Sequence, residues 1–193
     1  MRFKRHLLSL FILLSISGYS SAQKSKEILN LNLKTHENTI YDFSTIKNSK
    51  ATVYVFFLTD CPASQNYTLT INKLQKKYSD KNIPFIIIFP DTYSTTDEIK
   101  EFKSKYKIQM PIVLDPELSF TKLLPAKVAP QCFVLDNNAN ILYEGRIDDW
   151  YYSPGKKRTV IRSNDLDAAL TNFLSGKPIA PAKTTPYGCI INY

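Results

Sequence analysis

The central stretch of this chain, residues 51–78, reads ATVYVFFLTDCPASQNYTLTINKLQKKY. Its first part, Ala51 to Leu58, is a continuous apolar run rich in Val and Phe, which is typical of a strand covered on both faces. Its last part, Ala63 to Tyr78, carries apolar side chains close to helical spacing, with lysines on the other side. Cys61 lies at the junction, so the stretch predicts a strand, a cysteine and a helix in immediate succession.

Cys61 occupies a position that favours a reactive thiol. Pro62 suits the first position of a helix, because its missing N–H would have no partner there. The N–H groups and the dipole of a helix N-terminus stabilise an anion, and therefore favour the thiolate form of a cysteine placed there. The alternative interpretation is a cysteine that only packs in the core, as free cysteines commonly do. The position, the proline and the polar flanking residues favour a functional thiol.

Patterns elsewhere in the chain place this unit in a larger sheet. The sequence predicts the following further elements in chain order: an edge hairpin over Ile28–Leu33 and Thr39–Phe43, a strand over Ile83–Phe89, a helix over Ser94–Tyr106, a strand over Ile112–Leu114, a short helix over Pro116–Leu124, strands over Gln131–Leu135 and Ile141–Ile147, and a helix over Asp165–Leu174. Strands that alternate with helices in this way predict a three-layer α/β/α domain.

The first residues predict an export signal. Basic residues stand at positions 2, 4 and 5, an apolar stretch covers 7–16, and the small residues at 20–22 offer a cleavage site. The apolar stretch is shorter than the about 20 residues of a membrane-spanning helix, so cleavage is favoured over a membrane anchor. We expect a periplasmic or secreted protein that keeps no stable membrane insertion after cleavage.

The predicted cleavage divides the chain into three parts. These are a signal peptide over 1–22, a single main domain over 23–176 and a C-terminal tail over 177–193 that carries Cys189. The formal net charge of the full chain is +8, and removal of the signal lowers it by three. The chain has no basic run with interleaved aromatic residues, so we expect no nucleic-acid partner.

The cysteine segment and a later proline carry a family resemblance. Residues 61–64, CPAS, followed much later by residues 128–130, VAP, before a strand, resemble the thioredoxin-like superfamily. More narrowly, residues 59–67, TDCPASQNY, are similar to the Asp-Cys-Pro-x-Ser segment of exported redoxin-domain proteins in the peroxiredoxin-related group. Residues 145–149, GRIDD, and the C-terminal Gly188-Cys189 are similar to the end of the same group.

The resemblance implies a fold, an activity and one backbone feature. The fold is a thioredoxin-like three-layer α/β/α sandwich with a central mixed β-sheet. The activity is thiol redox chemistry through Cys61, without an organic cofactor and with a thiol or disulfide protein as the electron partner. Pro130 matches the cis-proline of the superfamily, which faces the active cysteine and shapes a peptide-like groove.

Ser64 stands where the familiar Cys-x-x-Cys pair has its second cysteine. A serine hydroxyl cannot release a mixed disulfide, so another thiol has to resolve Cys61 if Cys61 turns over. Ser64 could instead donate a hydrogen bond to the thiolate, or serve only as a residue of the first helical turn.

Cys189 is the favoured resolving thiol, although its pairing is open at this stage. It lies in a tail with three prolines, and Gly188 beside it permits a close approach. A reversible disulfide with Cys61, a permanent one that anchors the tail, and no pairing are all compatible with the sequence. Cys132 lies among apolar residues of a predicted strand, where packing is favoured over chemistry.

A thiol peroxidase is the first alternative function. Peroxiredoxins carry Thr or Ser three residues before the reactive cysteine and a proline four residues earlier, whereas this chain has Leu58 and Tyr54 there. Arg146 could supply positive charge to the thiolate, although a lone arginine on a terminal strand is commonly solvent-facing. The peroxidase is therefore second to the thiol–disulfide oxidoreductase.

A non-enzymatic binding module, including one that handles Cu(I), is the second alternative. Thioredoxin-like copper proteins use two nearby cysteines and a distant histidine, but the predicted mature chain has only His36 and no second cysteine near Cys61. We expect His36 to be a solvated residue of the predicted hairpin turn, and we expect no metal site.

Overall fold

The computed structural model describes residues 22–90 and 92–193, and the predicted signal peptide, apart from residue 22, lies outside them. The elements in chain order are α1 (22–29), β1 (Asn32–Lys34), β2 (Ile40–Asp42), a 3-10 helix (Phe43–Asn48), β3 (Ala51–Phe56), α2 (Pro62–Tyr78), a 3-10 turn (Ser79–Lys81), β4 (Phe85–Phe89), α3 (Thr96–Lys105), β5 (Ile112–Leu114), α4 (Ser119–Leu123), β6 (Val128–Ala129), β7 (Gln131–Asp136), β8 (Ile141–Gly145), β9 (Tyr151–Ser153), β10 (Lys156–Lys157), α5 (Asp165–Leu174) and β11 (Cys189–Ile190).

A five-stranded mixed sheet forms the centre, with the strand order β5-β4-β3-β7-β8. Strands β3, β4 and β5 run parallel to one another, and β7 pairs antiparallel with both β3 and β8. All six residues of β3 and all five of β4 are buried, as the continuous apolar runs predict for strands covered on both faces.

Helical layers cover both faces of the sheet. Alternate side chains of β3 enter two different cores, with Val53 and Val55 on one face and Tyr54 and Phe56 on the other. The first core is closed by α2, α3 and α5, and the second by α1, the 3-10 helix and α4. This is the three-layer α/β/α sandwich with a central mixed sheet that the sequence and the resemblance predict.

Local sequence signals fix the ends of the main helices. Pro62 is the first residue of α2, and Cys61 is its N-cap residue. Thr95 and Glu98 form a reciprocal capping box at the start of α3, in which each side chain accepts a bond from the other residue's backbone N–H. Gly176 follows α5 with a φ of 66°, a left-handed conformation in which glycine has no steric cost.

The predicted strand over Ile28–Leu33 is wrong in its first half. Residues 22–29 are helical, and the hairpin starts only at β1, which pairs antiparallel with β2. Ile28 is fully buried in the second core and Leu29 packs against that core, so these two side chains anchor this short helix. Apolar alternation over a few residues does not separate a strand from a helix.

The prediction that His36 is solvated is also wrong. His36 is only 6% exposed, because the hairpin that carries it packs along β5. The His36 N–H donates to the carbonyl oxygen of Ile112 at 3.1 Å, and Thr35 forms a β-bridge with Val113.

Within residues 22–90 and 92–193, no helix is both long enough and apolar enough to cross a membrane.

The loop between β8 and α5 folds onto α2. It contains the short β9–β10 hairpin, and the ring of Trp150 stands edge-on to that of Tyr67 at 5.6 Å. Asp149 pairs with Arg158 at 3.0 Å, so this carboxylate stabilises the loop itself.

Candidate functional site

Cys61 lies at the N-terminus of α2, in the short connection that follows the central strand β3. Its N–H donates to the carbonyl oxygen of Leu58 at 3.3 Å, and its own carbonyl accepts the first helical bond from Gln65 at 3.0 Å. These bonds hold the sulfur at the helix N-terminus, where backbone N–H groups favour negative charge. The residue is only 1% exposed.

A disulfide bond joins Cys61 to Cys189 across 128 residues of sequence. The two Cα atoms are 5.9 Å apart, which is within the ordinary range for a disulfide. The tail therefore brings to Cys61 the second thiol that the active-site segment lacks. Of the pairings that the sequence leaves open, the structure contains this one.

The tail reaches Cys61 by pairing with β6. Strand β11 lies antiparallel to β6, with Cys189 opposite Ala129 and Ile190 opposite Val128. The peptide bond between Ala129 and Pro130 is cis, which confirms the expectation for Pro130 from the family resemblance. The carbonyl oxygen of Ala129 lies 3.2 Å from the Cys61 sulfur, so β6 borders both partners of the disulfide.

Gly188 permits this close approach, as the sequence predicts. A Cβ atom at this position would overlap the carbonyl group of Ala129. A side chain here would push the tail away from β6, and with it the neighbouring Cys189.

A second attachment holds the tail at the edge of the sheet. The N–H of Thr184 donates to the carbonyl oxygen of Glu144 in β8 at 3.0 Å, and the Thr184 hydroxyl lies 2.6 Å from that of Tyr143. A Cβ atom at Gly145 would overlap Thr184, so glycine is needed at this contact as well. The segment between the two attachments, residues 185–188, connects the sheet edge to the disulfide.

A cleft of about 550 Å³ opens beside the disulfide. Cys61 and Cys189 both line it, together with the ends of the loops after β3 and β4. Among the described residues, its lining contains two carboxylate side chains, Asp60 and Glu98, and no lysine, arginine or histidine. The cleft is therefore open to a partner segment beside the disulfide and is unfavourable for an acidic one.

Ser64 and Arg146 are each held by a defined partner. The Ser64 hydroxyl oxygen accepts a bond from the Leu58 N–H at 3.2 Å, and Ser64 is fully buried. It therefore ties the first turn of α2 to the end of β3. The guanidinium of Arg146 pairs with Asp165 at 2.8 Å, and this ion pair raises the pKa of the arginine. The Arg146 charge is thus matched by a carboxylate.

Cys132 is the remaining cysteine, and it is buried and unpaired. Its thiol donates to the carbonyl oxygen of Gly145 at 3.3 Å. Burial, and next the negative charges of Asp165 and Asp148, raise the pKa of this thiol far above its usual value. The structural interpretation of Cys132 as a packing residue agrees with this environment.

The two positions that distinguish peroxidases contribute no hydroxyl beside the thiol. Leu58 offers its backbone N–H to Ser64, and its side chain is apolar. Tyr54 points into the second core, on the face of the sheet opposite Cys61, and its hydroxyl lies 3.4 Å from that of Tyr41.

Tyr67 of α2 and Asp148 of the loop after β8 form a buried polar pair that no pattern in the sequence predicts. The Tyr67 hydroxyl donates to the Asp148 carboxylate at 2.5 Å, and the Trp150 N–H donates to the same oxygen at 2.9 Å. Burial raises the pKa of Asp148, although these two bonds oppose the shift. The residues lie on different elements, so only the folded chain brings them together.

A model of the redoxin family matches residues 22–150 of the chain. The chain belongs to the redoxin family. The match covers β1 to β8 and includes Cys61 and Pro130, but it ends before the tail that carries Cys189. A comparison of this redoxin with curated protein sequences gives no match.

Solved structures confirm that this redoxin has a thioredoxin-like fold. It is similar to a hypothetical protein from Sinorhizobium meliloti, with a TM-score of 0.75 and 21% identity over 86% of this chain and 92% of the other. An uncharacterized conserved protein from Geobacillus kaustophilus has a TM-score of 0.75 and 20% identity over 84% and 88%. A secreted Mycobacterium tuberculosis disulfide oxidoreductase homologous to Escherichia coli DsbE has a TM-score of 0.55 and 14% identity over 78% and 98%.

Proposed function

We propose that this redoxin is an exported thiol–disulfide oxidoreductase in which Cys61 is the nucleophile and Cys189 is the resolving thiol. The observation that carries the proposal is the Cys61–Cys189 disulfide at the N-terminus of α2, beside an open cleft. The helix terminus stabilises the Cys61 thiolate, which is both the attacking form and a good leaving group. Export and residues 23–176 as the redox domain complete the proposal, since a disulfide persists in an oxidising compartment.

The proposed reaction is a two-step exchange with a partner protein. In the reduced redoxin, the Cys61 thiolate attacks a partner disulfide, forms a mixed disulfide and releases one partner thiolate. The Cys189 thiolate then attacks the Cys61 sulfur, which forms the intramolecular disulfide and releases the second partner thiolate. Two electrons pass from the redoxin to the partner, and a partner dithiol reverses both steps.

The residues around Cys61 support this exchange rather than peroxide reduction. Leu58 and Tyr54 provide no hydroxyl at the thiol, and the charge of Arg146 is paired with Asp165. The carbonyl oxygen of Ala129 lies 3.2 Å from the Cys61 sulfur, and β6, which contains Ala129, pairs with an extended segment, β11, beside it.

Redox titration of the purified protein tests the proposal. The oxidised protein is equilibrated in glutathione buffers of stepped potential, quenched in acid, alkylated and mapped by peptide mass. We expect the Cys61–Cys189 pair to titrate with a midpoint less negative than about −300 mV, the limit below which structural disulfides resist the glutathione pool. Cys132→Ser should leave the midpoint unchanged, since Cys132 is buried and unpaired. A disulfide that stays intact in every buffer would identify a permanent tail anchor and refute the proposal.

A further inference from the structure

The tail occupies the pairing edge of strand β6, which a second chain could also use. Strand β6 is two residues long, and its pairing edge is covered by β11 of the same chain. The N–H of Ile191 continues this pairing by donating to the carbonyl oxygen of Lys127 at 3.0 Å. An extended segment bound to an exposed edge obtains affinity from such main-chain bonds and specificity from alternate side chains.

The position directly before the cysteine, occupied by Gly188, has no space for a side chain. Gly188 faces the Ala129 carbonyl group so closely that a Cβ atom would overlap it. That carbonyl oxygen also lies 3.2 Å from the Cys61 sulfur, so the limit applies where disulfide exchange takes place. A segment with a side chain before its cysteine has to move away from β6 before its sulfur can reach Cys61.

The residues after the cysteine meet two different environments. Ile190 points outward and is 73% exposed, whereas Ile191 is only 3% exposed and packs in the second core. Successive residues of an extended segment face opposite sides, so Cys189 and Ile191 share the inward face. The position directly after the cysteine borders the cleft that carries Asp60 and Glu98, so the site tolerates neutral and basic residues there, and it favours an apolar residue at the second position.

We propose that residues 187–191 are an internal copy of the partner segment that this redoxin engages. The partner is a protein with an extended segment in which glycine directly precedes the reactive cysteine and an apolar residue stands two positions after it. The tail competes with that segment for β6, so the oxidised redoxin has its partner site covered. This proposal rests on the proposed exchange at Cys61.

The competition has a structural basis in the two attachments of the tail. Thr184 is bound at the edge of β8, independently of the disulfide. This anchor keeps residues 185–193 close to β6 after reduction, and a short tether gives the tail a high effective concentration there. A partner segment has to displace the tail before it can bind.

Peptide probes test the proposal on the full chain with Cys189→Ser, in which the Cys61 thiol is free. The probe copies residues 187–192, Tyr-Gly-Cys-Ile-Ile-Asn, with its cysteine in a mixed disulfide with 5-thio-2-nitrobenzoate. The Cys61 thiolate attacks the peptide sulfur, one S–S bond replaces another, and coloured thionitrobenzoate leaves with the electron pair. Matched peptides carry alanine in place of glycine, serine at the first position after cysteine, or serine at the second. All rates are divided by those of the same peptides with glutathione.

We expect the alanine peptide to react at least about tenfold more slowly than the glycine peptide, since overpacking of this size weakens binding by that factor. Serine at the second position should also slow the reaction, and serine at the first should leave it unchanged. Addition of Gly188→Ala to the protein should have the opposite effect and accelerate the glycine peptide, because the tail then competes less well. Thr185→Ala, at an exposed position of the same tail, is the matched control and should change nothing.

Two results would overturn the proposal. One is equal rates for the glycine and alanine peptides, and the other is a Gly188→Ala protein that reacts no faster than the parent variant. Failure of the proposed function is recognised separately, because Cys61 would then also fail to react with 5,5′-dithiobis(2-nitrobenzoate), which makes no use of β6.

Discussion

Removal of the Cys61–Cys189 bond should change stability mainly through the unfolded chain. The bond closes a loop across 128 residues, which is most of the described domain. The substitution Cys189→Ser opens this loop and leaves the rest of the folded structure in place. In the chain-entropy model, a cross-link over a loop of this length stabilises the fold by about 5 kcal/mol at 25 °C.

The same substitution should also alter the surface exposed on unfolding. An unfolded chain that is held together at residues 61 and 189 is more compact than an open one, so the denaturant slope m should increase when the bond is removed. For a domain of this size, a loss of about 5 kcal/mol corresponds to a decrease in Tm of roughly 10–20 °C. Both changes follow from the length of the loop.

Urea unfolding of the oxidised wild type and of Cys189→Ser, monitored by circular dichroism, measures both quantities. Cys132→Ala is the matched control: it removes a buried thiol that belongs to no disulfide, so it should cost about 1 kcal/mol without a change in m. Mass mapping first establishes that the wild type carries the bond. A loss below about 1.5 kcal/mol with an unchanged m would then refute the argument from chain entropy.

Three further predictions concern the tail and two buried titratable groups. On reduction, hydrogen exchange should accelerate at the Ile191 amide, which donates to Lys127 directly after the disulfide-linked strand β11, but not at the Thr184 amide, which is bound to β8. Equal acceleration would show that the tail leaves as one unit. Tyr67→Phe removes a hydrogen bond that opposes the raised pKa of Asp148, because it stabilises the charged carboxylate. The loss in the free energy of unfolding, about 1–3 kcal/mol, should therefore be larger at pH 7, where the buried carboxylate is charged, than at pH 3. The same loss at both pH values in urea unfolding would contradict this. Burial, and next the charge of Lys103, hold the pKa of His36 below its usual 6.5, so the contribution of His36 to stability is present above pH 6.5 and is lost as pH falls. His36→Gln should therefore make the free energy of unfolding less dependent on pH between pH 7.5 and 5. An unchanged pH dependence would refute this assignment.

Much of the central fold could be predicted from local patterns. The apolar runs of β3 and β4 indicated buried strands because both faces of these strands are covered. Pro62 marked the first turn of α2, because a proline at that position suits the backbone of a helix terminus in a way that depends only on nearby residues.

The wrong predictions fall where distant packing decides. Ile28 belongs to a short helix because its side chain and that of Leu29 reach the second core, and a few residues of alternation carry no information about that core. His36 is buried because its hairpin packs along β5, which lies more than seventy residues later in the chain. Neither contact leaves a local pattern.

The sequence by itself determined that Cys61 stands at the start of a helix, that Ser64 cannot resolve it, and that Gly188 leaves space beside Cys189, because these properties belong to neighbouring residues. Only the tertiary structure decided that Cys189 is the partner of Cys61. Their contact depends on where the tail crosses β8 and pairs with β6, and the closure cost of so long a loop varies too slowly with length to select one pairing over another.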